Sequence, residues 1–187
     1  MNKGYDQIFG GYLLVLLDLN IGSFDVLHDS VGYGIICLGL LKLYQHTGIK
    51  AFDYARIIGI IEVIMAIIAS FFPQVALQDM TMTSYGLLMI GSMIAIAFVY
   101  LIYSGGLAHI KMYSMEALAE TLGRGRTSYG LGMISLLVAQ SFLLNATSDF
   151  RSGIIIGSVA VGIVLQVIFM VHINSLRKAE FNEILED

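Results

Sequence analysis

The chain has 187 residues, of which 57% are hydrophobic and 13% are charged, and its formal net charge is −4. Soluble domains carry about 25% charged residues, and a soluble chain of this length cannot hide so much apolar surface in one core. This composition excludes an ordinary soluble domain. The small acidic net charge, without a basic patch, excludes nucleic acid as a partner. The single cysteine, Cys37, excludes a disulfide framework and a cysteine-rich metal site.

Six predicted membrane spans follow one another along the chain. A spanning helix needs about 20 mostly apolar residues. The windows that meet this condition are 5–23, 31–46, 54–73, 84–106, 128–146 and 152–173. The first two are shorter and more polar, so we expect them to be tilted or partly re-entrant. We expect no cleavable signal peptide, because the first apolar run has no small-residue cleavage site. The predicted fold is all-α: one integral membrane domain over residues 1–187, a polytopic transmembrane helical bundle.

Lysine and arginine predict the orientation of these spans, because positively charged loops stay in the cytoplasm. With six spans, one side of the membrane receives Lys3, Lys42, Lys50, Arg56, Lys111, Arg124, Arg126, Arg177 and Lys178. Only Arg151 falls on the other side, so both termini are predicted to be cytoplasmic. Tyrosine favours the membrane–water interfaces, and the six-span topology places the tyrosines near them. Those expected near the inner interface are Tyr5, Tyr44, Tyr54, Tyr103, Tyr113 and Tyr129, and those expected near the outer interface are Tyr33 and Tyr85.

Acidic residues gather between the first two apolar runs, at Asp18, Asp25 and Asp29 beside His28. One interpretation is a solvated outer loop, with small polar residues forming turns and Asp29 capping the second span. The other is a funnel of carboxylates that opens outward and admits a proton, a cation or a basic ligand. Asp18 favours the second interpretation, because an aspartate inside a span costs roughly 2.5–3.5 kcal/mol on insertion. Asp18 and Asp25 would share a helix face if the helix continued that far.

The stretch from Leu17 to Gly34, L-D-L-N-I-G-S-F-D-V-L-H-D-S-V-G-Y-G, resembles a signature of small multi-span integral membrane proteins of Gram-positive bacteria. Those proteins carry a similar L-D-x-x-I-x-x-x-D-V-L-x-D-x-V-G-Y stretch before their second span. This chain departs from the pattern at His28, where the family often has proline. The resemblance implies a multi-pass protein of the bacterial plasma membrane and points to the three aspartates, but it implies no particular reaction.

Other polar residues fall inside the predicted spans. Glu62 lies in the inner half of the third span, Gln166 lies at a comparable depth in the sixth, and Gln140 lies in the fifth, nearer Asp18. With Asp18, these three residues form a predicted polar line across the bundle, as a transporter or proton path requires. Asp18 and Gln140 lie in its outer half, and Glu62 and Gln166 lie in its inner half. The alternative is structural: Glu62 pairs with Arg56, and the glutamines tie helices together.

Histidines mark the cytoplasmic ends of three spans, at His46, His109 and His172. Three imidazoles at one depth can bind zinc or haem, but no ligand spacing such as H-x-x-x-H appears. Histidine near a helix C-terminus also interacts favourably with the helix dipole. We therefore predict no metal and no cofactor. The sequence carries no Walker motif, no G-x-S-x-G and no H-E-x-x-H, and an enzymatic activity is not the favoured interpretation.

Two functions of different classes fit these features. The first is a small ion- or proton-coupled transporter with an outward-facing acidic site that uses Asp18 and Glu62. The second is a non-catalytic membrane component that regulates or assembles with a partner protein. It would use the segment 107–127, predicted as an interfacial amphipathic helix, and the C-terminal tail. The lipid bilayer is the expected environment, and Gly153-x-x-x-Gly157 permits either packing within the monomer or a homodimer.

Overall fold

The computed structural model describes residues 4–17, 20–21, 24–25, 29–70, 82–143 and 148–184. These residues form six helices and one pair of two-residue strands. The helices are α1 (Gly4–Leu17), α2 (Asp29–Thr47), α3 (Lys50–Ser70), α4 (Met82–Met112), α5 (Glu116–Ser141) and α6 (Ser148–Ile184), and the strands are β1 (Asn20–Ile21) and β2 (Phe24–Asp25). The strands pair antiparallel between α1 and α2. The predicted all-α class with six helices is confirmed.

The six helices form a closed antiparallel ring. Each helix packs against the next one in the chain, and α1 packs against α6. An ion pair of 3.6 Å between Asp6 and Arg177 joins the start of α1 to the last part of α6. The ring of Tyr5 lies 6.3 Å from that of Phe52 at the start of α3. The start of α1, the α2–α3 turn, the α4–α5 turn and the end of α6 therefore share one end of the bundle, which we call the terminal end.

Glycines bring α1 and α2 into backbone contact. A Cβ atom on Gly11 would lie 2.6 Å from the carbonyl oxygen of Gly32, and one on Gly39 would lie 2.6 Å from that of Gly4. Gly4 and Gly11 are seven residues apart, as are Gly32 and Gly39, so each pair repeats on one helix face. Only residues without a side chain allow helices to approach this closely. These four glycines fix the register of the α1–α2 hairpin.

Two tight turns close the terminal end. Gly48 adopts a positive φ of 69°, and its backbone N–H donates to the carbonyl of Tyr44 at 2.8 Å, which ends α2. The α4–α5 turn is equally short, because α4 ends at Met112 and α5 begins at Glu116. The prediction of a separate interfacial helix over residues 107–127 is therefore wrong. Its amphipathic pattern belongs to the last turns of α4 and the first turns of α5.

The core packs large aromatic rings among aliphatic side chains, and much of the outer surface is aliphatic. The largest fully buried side chains include Tyr5, Tyr103, Tyr129, Phe52, Phe98 and Phe169. The prediction that Tyr5, Tyr103 and Tyr129 form part of an interfacial belt is wrong, because these three rings are at most 1% exposed. The exposed residues include Ile57, Ile60, Ile61, Ile64, Ile67 and Ile68 on α3, Leu131, Ile134 and Val138 on α5, and Ile156, Val159, Ile163, Val164, Val167 and Val171 on α6.

Length and composition together separate α4 and α6 from the other described helices. Within the described residues, the two segments long and apolar enough to cross a membrane are Tyr85–Met112 and Phe150–Ala179. The 14 residues of α1 extend for about 21 Å, which is less than the roughly 30 Å of a bilayer core. The prediction of one helix over residues 5–23 is wrong, because α1 ends at Leu17 and β1 begins at Asn20. Asp18, Asn20 and Gly22 are weak helix formers, which accounts for this early end.

Candidate functional site

A cluster of tyrosines occupies the centre of the bundle. Rings of Tyr12, Tyr103 and Tyr129 lie 4.7, 5.1 and 6.2 Å from the ring of Phe169 on α6. Tyr33 on α2 joins them through Phe98, at a ring distance of 5.9 Å. We call Tyr12, Tyr33, Tyr103 and Tyr129 the tyrosine cluster. It brings together four hydroxyl groups from α1, α2, α4 and α5.

Glu62 lies on the side of α3 that faces this cluster. Its side chain is buried, and its Oε1 atom has no hydrogen-bond partner among the described residues. The charge of its carboxylate acts on the phenol groups of both Tyr12 and Tyr33. One turn earlier, Gly59 lets α3 approach closely, since a Cβ there would lie 2.6 Å from the Sγ of Cys37. This close approach turns Glu62 towards the interior.

The isolation of Glu62 has an energetic consequence. A buried carboxylate without a cation or hydrogen-bond donors is strongly destabilising, so such a group holds a proton or awaits a ligand. The alternative in which Arg56 neutralises Glu62 is wrong, because Arg56 donates to Asp53 through Nε at 3.1 Å and Nη2 at 2.6 Å. No other described acidic or basic group forms an ion pair with Glu62.

Two tyrosine–histidine pairs tie helices together towards the terminal end. The hydroxyl of Tyr5 lies 2.9 Å from Nδ1 of His109, which links α1 to α4. The hydroxyl of Tyr103 lies 2.8 Å from Nδ1 of His172, which links α4 to α6. His46 is exposed on α2. The charge of His46 acts on His109, whereas His172 pairs with Tyr103. The described residues contain no group of three or more side chains that could hold a metal ion.

The two glutamines have different roles. Gln166 on α6 has a buried Oε1 atom without a hydrogen-bond partner among the described residues. It lies three residues before Phe169, so it shares the inner face of α6 with the tyrosine cluster. Gln140 lies near the far end of α5, and its backbone carbonyl accepts a hydrogen bond from the hydroxyl of Tyr85. Gln166 therefore adds to the interior polar group, whereas Gln140 contributes a backbone contact between α4 and α5.

The acidic stretch before α2 is only partly described. Asp18 and His28 lie outside the described residues. Asp25 lies in β2, where it pairs with Asn20, and Asp29 is the first residue of α2. The condition for Asp18 and Asp25 to share a helix face, a helix that continues to Asp25, is not met, because α1 ends at Leu17 and β1 begins at Asn20. The structure describes no shared helical face for the three aspartates.

Sequence reasoning missed the tyrosine cluster as an interior feature. Tyrosine is common both at membrane interfaces and in cores, so its type alone does not choose between them. One signal was available: Tyr5 and Tyr12 are seven residues apart, which places them on one face of α1.

Comparison with known proteins adds no assignment: no family model, no curated protein and no solved structure matches this chain.

Proposed function

We propose that the chain is a six-span membrane protein with the terminal end of its helical bundle facing the cytoplasm. The exposed aliphatic faces of α3, α5 and α6 support this, because monomeric soluble proteins rarely expose such large apolar patches. The basic residues support the orientation. Those that lie towards the terminal end of their helices are Lys42, Lys50, Arg56, Lys111, Arg124, Arg126, Arg177 and Lys178. Arg151 is at the opposite end. With the sequence signature of Leu17–Gly34, this favours a bacterial plasma membrane.

The function that this interior supports best is proton-coupled transport, with Glu62 as the group that binds the proton. The observation that carries the proposal is the buried Glu62 carboxyl, whose Oε1 has no hydrogen-bond partner among the described residues and whose charge acts on Tyr12 and Tyr33. Ionisable groups inside membrane bundles mark ion and proton pathways. A divalent cation prefers about six or more oxygen ligands, whereas a proton needs a single carboxyl. Tyrosine hydroxyls can donate to the carboxylate when the proton leaves.

Asp18 belongs to the same proposal as the carboxyl nearer the outer surface. Two protonatable groups at different depths allow access to alternate between the two sides of a membrane. In this scheme Asp18 receives the proton first, Glu62 holds it beside the tyrosine cluster, and Gln166 lies beside the path on α6.

Proton uptake into sealed vesicles tests the proposal. The purified chain is reconstituted into liposomes that contain a pH-sensitive dye, and an inward potential is imposed with potassium and valinomycin. We expect acidification above that of empty vesicles for the wild-type protein and no excess acidification for E62Q, because glutamine fills the same space but cannot carry a proton. The control is E120Q, which removes an exposed carboxylate that pairs with Arg124 at the surface. Wild-type uptake by E62Q would contradict the proposal.

A second candidate, assembly with a partner membrane protein, is favoured by one observation. An open groove of about 590 Å³ lies at the α4–α5 turn, and Leu107, Lys111, Met115 and Glu120 are among its lining residues. This function predicts a second protein that co-purifies in a fixed ratio and is lost in M115E. It also predicts that the purified chain alone moves no protons, which separates the two candidates in the same vesicle assay.

A further inference from the structure

The outer face of α5 changes character along its length. Nearest the α4–α5 turn its exposed residues, apart from Ala117, are charged or hydroxylic: Glu116, Glu120, Thr121, Arg124, Thr127 and Ser128. Beyond them, as far as Val138, the exposed residues are mainly aliphatic, with Leu131, Ile134 and Val138 beside one serine, Ser135. In a chain that spans a bilayer, such a change marks the level where headgroups meet hydrocarbon. On α5 this level therefore lies close to Arg126, between Ser128 and Leu131.

Arg126 is held at this level by α4. Its guanidinium carbon lies 5.2 Å from the centre of the Tyr100 ring, and its Nη1 lies 3.4 Å from Oγ of Ser104. Ser104 donates its own hydroxyl proton to the carbonyl of Tyr100 at 2.8 Å, so its oxygen is free to accept from the arginine. Tyr100 is 42% exposed, and Arg126 is half-buried. The side chain is thus oriented in the cleft between α4 and α5 without being enclosed.

The charge of Arg126 is not neutralised within the described residues. Arg56 pairs with Asp53, Arg124 with Glu120 and Arg177 with Asp6. In contrast, the partners of Arg126 in the described part of the chain are a hydroxyl and an aromatic ring. A guanidinium has five N–H donors in a planar fork that suits two oxygens of a phosphate or carboxylate. Most of these donors remain available for a ligand at the bilayer surface.

We propose that Arg126, Tyr100 and Ser104 form a binding site for the phosphate group of an anionic phospholipid in the leaflet at the terminal end. The lipid chains would lie along the aliphatic part of α5, and the phosphate would accept from the guanidinium. Free inorganic phosphate offers the same oxygens without chains. The lipid is favoured because the exposed surface of α5 from Leu131 onward is mainly aliphatic. The site depends on the membrane placement and not on proton transport by Glu62.

Lipid binding by the full-length protein tests this site. The purified, delipidated protein is titrated in detergent with phosphatidylglycerol, with diacylglycerol or with inorganic phosphate, and bound lipid is counted by native mass spectrometry alongside the melting temperature. We expect phosphatidylglycerol to bind and stabilise the wild-type protein. R126Q should bind it at least about tenfold more weakly, because hydrogen bonds to charged groups are lost. The matched control is R124Q, which removes the same charge two residues away and should bind as the wild type does.

A second variant keeps Arg126 but introduces a carboxylate that can form an ion pair with its guanidinium group. G123E places a carboxylate three residues before Arg126, and a Cβ at this position meets no atom within 4 Å. G123E should also weaken phosphatidylglycerol binding. It therefore tests the site even if R126Q does not fold. The proposal is overturned if R126Q and G123E both bind like the wild type, or if R124Q loses as much as R126Q. Equal stabilisation by diacylglycerol would overturn the phosphate contact, and equal, Arg126-dependent stabilisation by inorganic phosphate would overturn the lipid assignment.

Discussion

At the scale of single residues, Tyr103 and Tyr129 form a natural comparison. Both rings are 1% exposed, and their centres are 6.1 Å apart. The hydroxyl of Tyr103 pairs with His172, whereas the buried hydroxyl of Tyr129 has no hydrogen-bond partner among the described residues. We expect Y103F to lower the free energy of unfolding by about 1 kcal/mol, because it leaves the Nδ1 atom of His172 unsatisfied. Y129F should leave it unchanged or raise it slightly. Unfolding titrations in mixed micelles measure both, and an equal loss in both variants would contradict the pairing of Tyr103 with His172.

The same scale shows what residue type alone could and could not indicate. Glu62 was predicted from the sequence because a carboxyl inside an apolar run has few harmless explanations. Its tyrosine neighbours were not, since they come from α1 and α2, and only packing brings them to α3. The choice between Glu62 and Asp53 as the partner of Arg56 also required the structure. Both acids are near Arg56 in the chain, and the pair three residues apart forms.

At the scale of helices, the α1–α2 contact depends on glycine. A Cβ on Gly11 would overlap the carbonyl oxygen of Gly32, whereas one on Gly34 would meet no atom within 4 Å. We expect G11A to destabilise the protein by about 1–3 kcal/mol, because the two backbones must separate. G34A should be neutral or slightly stabilising, since alanine favours the helix over glycine. Melting temperatures of the two variants in one detergent check this. A G34A loss as large as that of G11A would show that the close contact is not the cause.

The helix boundaries show which features of the helices hydropathy can predict and which it cannot. The apolar windows located all six helices, because long apolar runs in this chain are helical. They misplaced the ends where polar helix breakers interrupt the run, as after Leu17. They also left residues 107–127 outside the spans, as a separate interfacial helix. Charges ended the apolar window there, but helical hydrogen bonding continued through the last turns of α4 and the first turns of α5.

The Gly153-x-x-x-Gly157 motif of α6 does not take part in packing within the described bundle, because a Cβ added to either exposed glycine would meet no neighbour within 4 Å.

At the scale of the whole molecule, the bundle combines an interior of aromatic and aliphatic side chains, with a few polar groups, and a largely aliphatic exterior. The composition of the chain predicts lipid as the surrounding solvent. The structure shows which surfaces would contact the lipid, namely the exposed isoleucines of α3 and the exposed isoleucines and valines of α6. The ring closure of α1 on α6 could not be predicted from local sequence, because it depends on contacts between the two ends of the chain. It places Asp6 beside Arg177 and sets the start of α1 and the last part of α6 on one side of the bundle.

Labelling of single cysteines in sealed vesicles tests this arrangement most directly. In a C37S background, cysteines replace the exposed residues Glu116, Lys178 and Phe150, of which the first two lie at the terminal end and the third lies near the start of α6. An impermeant maleimide should label positions 116 and 178 only from the cytoplasmic face and position 150 only from the outer face. Labelling of positions 150 and 178 from the same face, or of 116 and 178 from opposite faces, would contradict a membrane bundle with its terminal end in the cytoplasm.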